Sequence, residues 1–121
     1  MAKVESFEDL WIWQEARGLV QEIYNDVGPE TPAGRDYGFR GQLQSAGISI
    51  MNNIAEGFER GTDAEKSRFL DIAKGSSGEV RSMCYAAEDI RYVSVNVARQ
   101  RRDRAARISK GIATLSSHLR A

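Results

Sequence analysis

Apolar residues recur along this chain at spacings of three and four, the period of an α-helix packed on one side. Phe7, Leu10, Trp11, Leu19, Val20, Ile23 and Val27 trace the first such stripe. Ser6 followed by Asp9 resembles a capping box, so a first helix is predicted over about 7–27. The only prolines, Pro29 and Pro32, fall between Val27 and Gly34 with two glycines, and that stretch predicts the one long connection. Leu43, Ala46, Gly47, Ile50, Ile54 and Phe58 form a second stripe, which Gly57 and Gly61 bring toward its end, giving a helix over about 36–60. Thr62 and Glu65 make a further capping pair ahead of Phe69, Ile72, Ala73, Val80, Met83, Ala87 and Ile90, a third helix over about 63–93. Ser94 or Asn96 can cap a fourth, over about 96–119, with Val97, Ile108, Ile112, Leu115 and Leu119 on one face.

No stretch alternates with period two for long enough to make a strand. The expected fold is therefore all-α: one domain over 1–121, an antiparallel up-down-up-down four-helix bundle with one longer loop and two tight turns. Gly75-Ser76-Ser77-Gly78 interrupts the third helix without shifting its apolar phase, and the small residues are expected to serve a close helix crossing. They lack the spacing, the lysine and the preceding strand of a phosphate loop.

Composition changes this picture little. Hydrophobic residues at 41% and charged residues at 28% suit a folded soluble chain, and the absence of a long apolar run or signal-like start leads to the expectation of a cytoplasmic protein without membrane contact. Cys84 is the only cysteine and His118 the only histidine, so neither an intrachain disulfide nor a Cys/His metal cluster can form within one chain. No cofactor is expected. Cys84, without an adjacent base, reads as a buried inert thiol, and no arrangement of acids, bases and nucleophiles suggests an enzyme.

Charge does change it. Residues 1–94 carry 10 Lys and Arg against 16 Asp and Glu, whereas residues 95–121 carry 7 against 1. The net charge of zero conceals a basic fourth helix. Arg99, Arg101, Arg102, Arg104, Arg107 and Lys110 are its candidate binding residues, with Arg101 and Arg104 near the phase of the apolar stripe. Cations close to a helix N-terminus oppose the helix dipole, so something should neutralise them. Carboxylates delivered to the same pole, Asp26, Asp36, Glu88 and Asp89, are the first candidates, within the chain or across subunits. A nucleic-acid backbone and an acidic protein partner are the others.

Two smaller groups invite comparison. Asn53 and Glu56, three apart beside the second stripe, are expected to form a structural polar junction with a neighbouring helix rather than a catalytic pair. Phe7 and Trp11 are expected in the core. Trp13 falls off the stripe and is expected at an interface, as are Ile12 on the first helix and Ile48, Met51 and Ala55 on the second.

Three blocks carry a family resemblance: Phe7 to Ala16, Ser49 to Gly61 with Ser-Ile-Met-Asn-Asn-Ile-Ala-Glu-Gly at its centre, and Arg68 to Ser76. Together, over residues 6 to about 93, they resemble the four-helix-bundle family encoded in intervening sequences of 23S ribosomal RNA genes. That family includes the accessory variability determinant of diversity-generating retroelements. The resemblance implies a homo-oligomer, a ring of five, with a binding rather than a catalytic role. In the retroelement branch the partners would be a reverse transcriptase and RNA or DNA. Gln44-Ser45 stand where many relatives carry Arg-Arg, and Met51 replaces a family proline; the first removes basic charge and the second removes a cause for a kink. The reading without nucleic acid is a structural or assembly protein of a mobile or intervening element.

Overall fold

The structure, a computed structural model, describes residues 3–120. They form a 3-10 turn, Phe7–Asp9, and five α-helices: α1 Trp11–Asp26, α2 Pro32–Arg35, α3 Tyr37–Glu59, α4 Asp63–Ile90 and α5 Val95–Arg120. Among the described residues there is no strand.

The first predicted helix is shorter than its stripe. The Asp9 carboxylate accepts the backbone N–H groups of Glu5 and Ser6 at 3.0 and 3.2 Å, but these bonds close a single 3-10 turn. Leu10 then takes an extended conformation, φ −73° and ψ 125°, and α1 begins at Trp11. This break corrects the two tryptophans. Counting from Phe7 through the turn put Trp11 on the inner face, whereas the helix that starts at Trp11 buries Ile12, Trp13, Ala16, Leu19 and Ile23. Trp13 is 9% exposed and meets Phe7 edge-on at 5.1 Å, while Trp11 is 50% exposed.

The expected loop holds the one-turn helix α2. Thr31 caps it by accepting the Gly34 N–H at 2.9 Å, and Pro32 stands at its start, where no N–H is needed. Asp36 ends α2 and caps α3, its Oδ1 accepting the Phe39 N–H at 3.2 Å. Its Oδ2 accepts the Tyr92 hydroxyl at 2.7 Å, which ties the end of α4 to the start of α3.

Thr62 caps α4 as expected, accepting the Glu65 N–H at 3.2 Å. The helix runs unbroken through Gly75 and Gly78 and stops at Ile90, because Arg91 turns left-handed at φ 67°. The glycines are not at a crossing: a Cβ at either position would meet open space. The buried row of α4 is Leu70, Ala73, Ser77, Val80, Cys84 and Ala87, so Ser77 lies inside, its hydroxyl donating to the Lys74 carbonyl at 2.6 Å. Ile72 and Ile90, placed on the stripe by hydropathy, are exposed. Ser94 caps α5 by accepting the Val97 N–H at 3.1 Å.

α1 packs against α3 and α5, and α4 packs against the same two helices. Leu10, Phe58, Lys66, Leu115 and Leu119 gather at one pole; Val27, Phe39, Ala87, Tyr92 and Ala98 gather at the other. Between the poles Leu19, Ile23, Ile50, Ile54, Val80, Ile108 and Ile112 are almost wholly enclosed. Burying each such side chain contributes about 1.5–3 kcal/mol, which is what holds the four long helices together.

Candidate functional site

Ser94 starts α5 so that residues 101, 104 and 108 lie along the seam with α1, and Arg102 lies toward α4. Arg101 is 13% exposed and reaches Asp26 with two nitrogens, Nε to Oδ2 at 2.7 Å and Nη2 to Oδ1 at 2.9 Å. Its third nitrogen, Nη1, donates to Glu22 Oε2 at 2.8 Å. One turn on, Arg104 donates from Nη1 to the other Glu22 oxygen at 2.7 Å and from Nε to Glu15 at 3.2 Å. Arg107 approaches the same Glu15 oxygen at 3.6 Å but is 56% exposed. Carboxylates descending α1 as 26, 22 and 15 thus meet guanidiniums ascending α5 as 101, 104 and 107.

On the other side Arg102 donates to Glu88 at 2.9 Å and stacks over the Tyr85 ring at 4.1 Å. The Asp26 hydrogen bond holds Arg101 protonated above the ordinary guanidinium range against the opposing effect of burial. Glu88 acts on Arg102 in the same way. Three of the cations that oppose the α5 dipole, Arg101, Arg102 and Arg104, are therefore neutralised from within the chain.

Among the predicted cations, Arg101, Arg102 and Arg104 are drawn into this ladder and Arg107 sits at its edge. Arg99 and Lys110 are exposed and form no ion pair among the described residues. Of the predicted acids, Asp26 and Glu88 serve the ladder, Asp36 is committed to Tyr92, and Asp89 is exposed and forms no ion pair among the described residues. Sequence reasoning missed Glu15 and Glu22. Their signal was their place beside the buried row of α1, where a side chain can reach a neighbouring helix.

Asn53 and Glu56 do not form the expected junction together. Asn53 donates to the Ser49 carbonyl at 2.8 Å and the Ser49 hydroxyl at 3.0 Å, and Ser49 in turn meets Ser76 of α4 at 2.8 Å. Glu56 points outward to Arg60, 3.2 Å away. Cys84 is buried, and loss of solvent pushes its thiol up to about 11, which suppresses the reactive thiolate. His118 is exposed near the end of α5, 20 positions beyond Ala98 at the Cys84 pole, a distance of roughly 30 Å along the helix. Among the described residues no group of three or more His, Cys, Asp or Glu is placed to hold a metal ion, and no helix is long and apolar enough to cross a membrane.

The chain is similar in fold to a crystal structure of a protein of unknown function from the S23 ribosomal protein family of Bacteroides thetaiotaomicron. The TM-score is 0.80 at 16% identity, covering 87% of this chain and 97% of that one. No curated protein matches the chain. The model of the 23S rRNA-intervening sequence protein family matches residues 8–114, nearly the whole helical body just described, and the chain belongs to that family.

Proposed function

We propose that this protein is a non-catalytic, self-associating helical scaffold, an antiparallel up-down-up-down four-helix bundle whose basic helix works mainly as an internal fastener. The observation that carries this reading is the ladder. Arg101, Arg102 and Arg104 already hold carboxylates at 2.7–3.2 Å, and a phosphate would have to displace those partners. Of the residues expected at an interface, Ile12 lies in the core and Met51 and Ala55 pack against it, while the partly exposed Ile48 on α3 supports self-association. The buried thiol, and its distance from the only histidine, support a role other than nucleophilic catalysis.

A second reading rests on Arg99, Arg107 and Lys110. These exposed cations lie along the outer side of α5 and favour a weak contact with RNA, DNA or a reverse transcriptase, although Asp103 sits among them. Light scattering at micromolar concentration and low salt, with and without added RNA, separates the two. The scaffold reading expects a multiple of the 13.5 kDa chain that RNA leaves unchanged. An RNA-dependent mass increase that weakens steeply with salt would favour the second reading, and a monomer would contradict self-association.

A further inference from the structure

A pit opens at the pole where the described chain begins. Because Leu10 is extended, the residues before α1 do not prolong that helix, and Val4 comes to the rim of a cavity of about 310 Å³. Ile54, Gly57 and Leu70 are its buried lining residues, while Leu10, Phe58, Leu115 and Leu119 are only partly buried around it. Helical cores are otherwise packed to the density of organic crystals, so a space of this size is an exception. It offers water almost no polar partner. Its volume is at the lower edge of small-molecule sites, which run from about 300 Å³ upward.

Among the described residues Lys66 is the only charged one lining the pit. Its Nζ donates to the Phe58 carbonyl at 2.7 Å and lies 5.5 Å from the Phe58 ring centre. That fixes the ammonium beside the pit and leaves two of its three N–H groups free of this contact. An apolar slot with a single cation beside it is complementary to a flexible apolar tail ending in one negative charge. A cavity at the lower edge of small-molecule sites takes an apolar tail of small-ligand size and not a long acyl chain.

We propose that this pit binds a medium-chain alkyl carboxylate, its tail among Leu70, Leu115 and Leu119 and its carboxylate on Lys66. The site shares no residue with the arginine ladder and does not depend on the scaffold reading. The test is a titration of the full chain with sodium decanoate below its micellar concentration, read by leucine methyl resonances and by thermal melting. Saturable shifts of the Leu10, Leu70, Leu115 and Leu119 methyls and a rising melting temperature are expected. Lys66→Gln, or decanol in place of decanoate, should weaken binding by roughly tenfold or more, the loss of a charge-assisted hydrogen bond. Leu119→Trp, which fills the pit, should abolish binding while the helical circular dichroism persists. The Lys66→Gln comparison keeps the test decisive where the tryptophan variant fails to fold. Absent or non-saturable methyl shifts, equal binding of decanol and decanoate, or shifts that follow protein concentration alone and so reveal a second copy in the pit, would each overturn the proposal.

Discussion

Arg101 and Arg107 belong to one basic run of α5 but differ in burial and in partners. Arg101 lies 13% exposed between two carboxylates, and Arg107 is 56% exposed with one distant partner. Removing one member of a mostly buried pair leaves its partner uncompensated, at a cost near the lower end of 3–5 kcal/mol, whereas an exposed pair is worth about 0–1 kcal/mol. Arg101→Gln should therefore lower the melting temperature by roughly 10 °C, and Arg107→Gln by no more than a few degrees, in matched thermal melts. Equal effects would show that burial does not grade the ladder. The Asp36–Tyr92 tie makes a different prediction, about pH. Tyr92 and the Phe39 N–H hold Asp36 ionised below the usual carboxylate range, and Asp36 holds the Tyr92 phenol protonated above its usual range. The Asp36 contribution is present above the unfolded carboxylate value and fades as pH falls through the lowered folded one. The Tyr92 contribution is present below the unfolded phenol value and fades as pH rises through the raised one. Tyr92→Phe should thus flatten the fall in stability at both acid and alkaline extremes, measured by denaturant midpoints across pH. An unchanged profile would mean the tie is not formed.

At the scale of the element, helix periodicity made four long helices legible and most of the inward residues of α3, but only part of the inner row of α4. The inner row of α4 runs at alternating spacings of three and four through Leu70, Ala73, Ser77, Val80, Cys84 and Ala87. Ala73, Val80 and Ala87 lie on the predicted stripe, whereas Leu70 and Ser77 fall outside it, because the large neighbours Phe69 and Ile72 and the polarity of serine draw it aside. The break at Leu10 was equally hidden, because Ser6 and Asp9 carry the signature of a helix start and only backbone conformation shows that one turn follows. Glycines divide the same way. Gly75 and Gly78 face open space, so Gly75→Ala and Gly78→Ala should each stabilise α4 by about 0.5–1 kcal/mol. Gly111→Ala should destabilise instead, since its Cβ would collide with Ile12 and come within 2.9 Å of Trp11. Chemical denaturation of the three variants checks the contrast. Destabilisation by alanine at 75 or 78 would place a neighbouring subunit against that face of α4.

For the whole molecule, charge and packing answer one question together. The apolar core needs no arginine to bury its side chains, yet it leaves the rotation and sliding of α5 loosely specified, since α5 presents Ala98, Ala105 and Ser116 among its buried residues. The ladder adds direction: Asp26 takes Arg101 with two bonds, and Glu22 joins Arg101 to Arg104, so a shift of α5 by one residue would break several charge-assisted bonds at once. The sequence made this role partly readable. A basic helix in an otherwise acidic chain called for a neutralising partner, with carboxylates, nucleic acid and an acidic protein all open, and of the four carboxylates named Asp26 and Glu88 pair with it. The pairing of Glu15 and Glu22 was not readable, because it depends on which helix lies next to α5. The most direct test of the account is the thermal melt of a single variant, Arg101→Gln with Arg102→Gln and Arg104→Gln, followed by circular dichroism beside the wild type. As fasteners, the three arginines predict a fall of more than about 15 °C or loss of the cooperative transition. A variant that melts within a few degrees of the wild type would contradict the account.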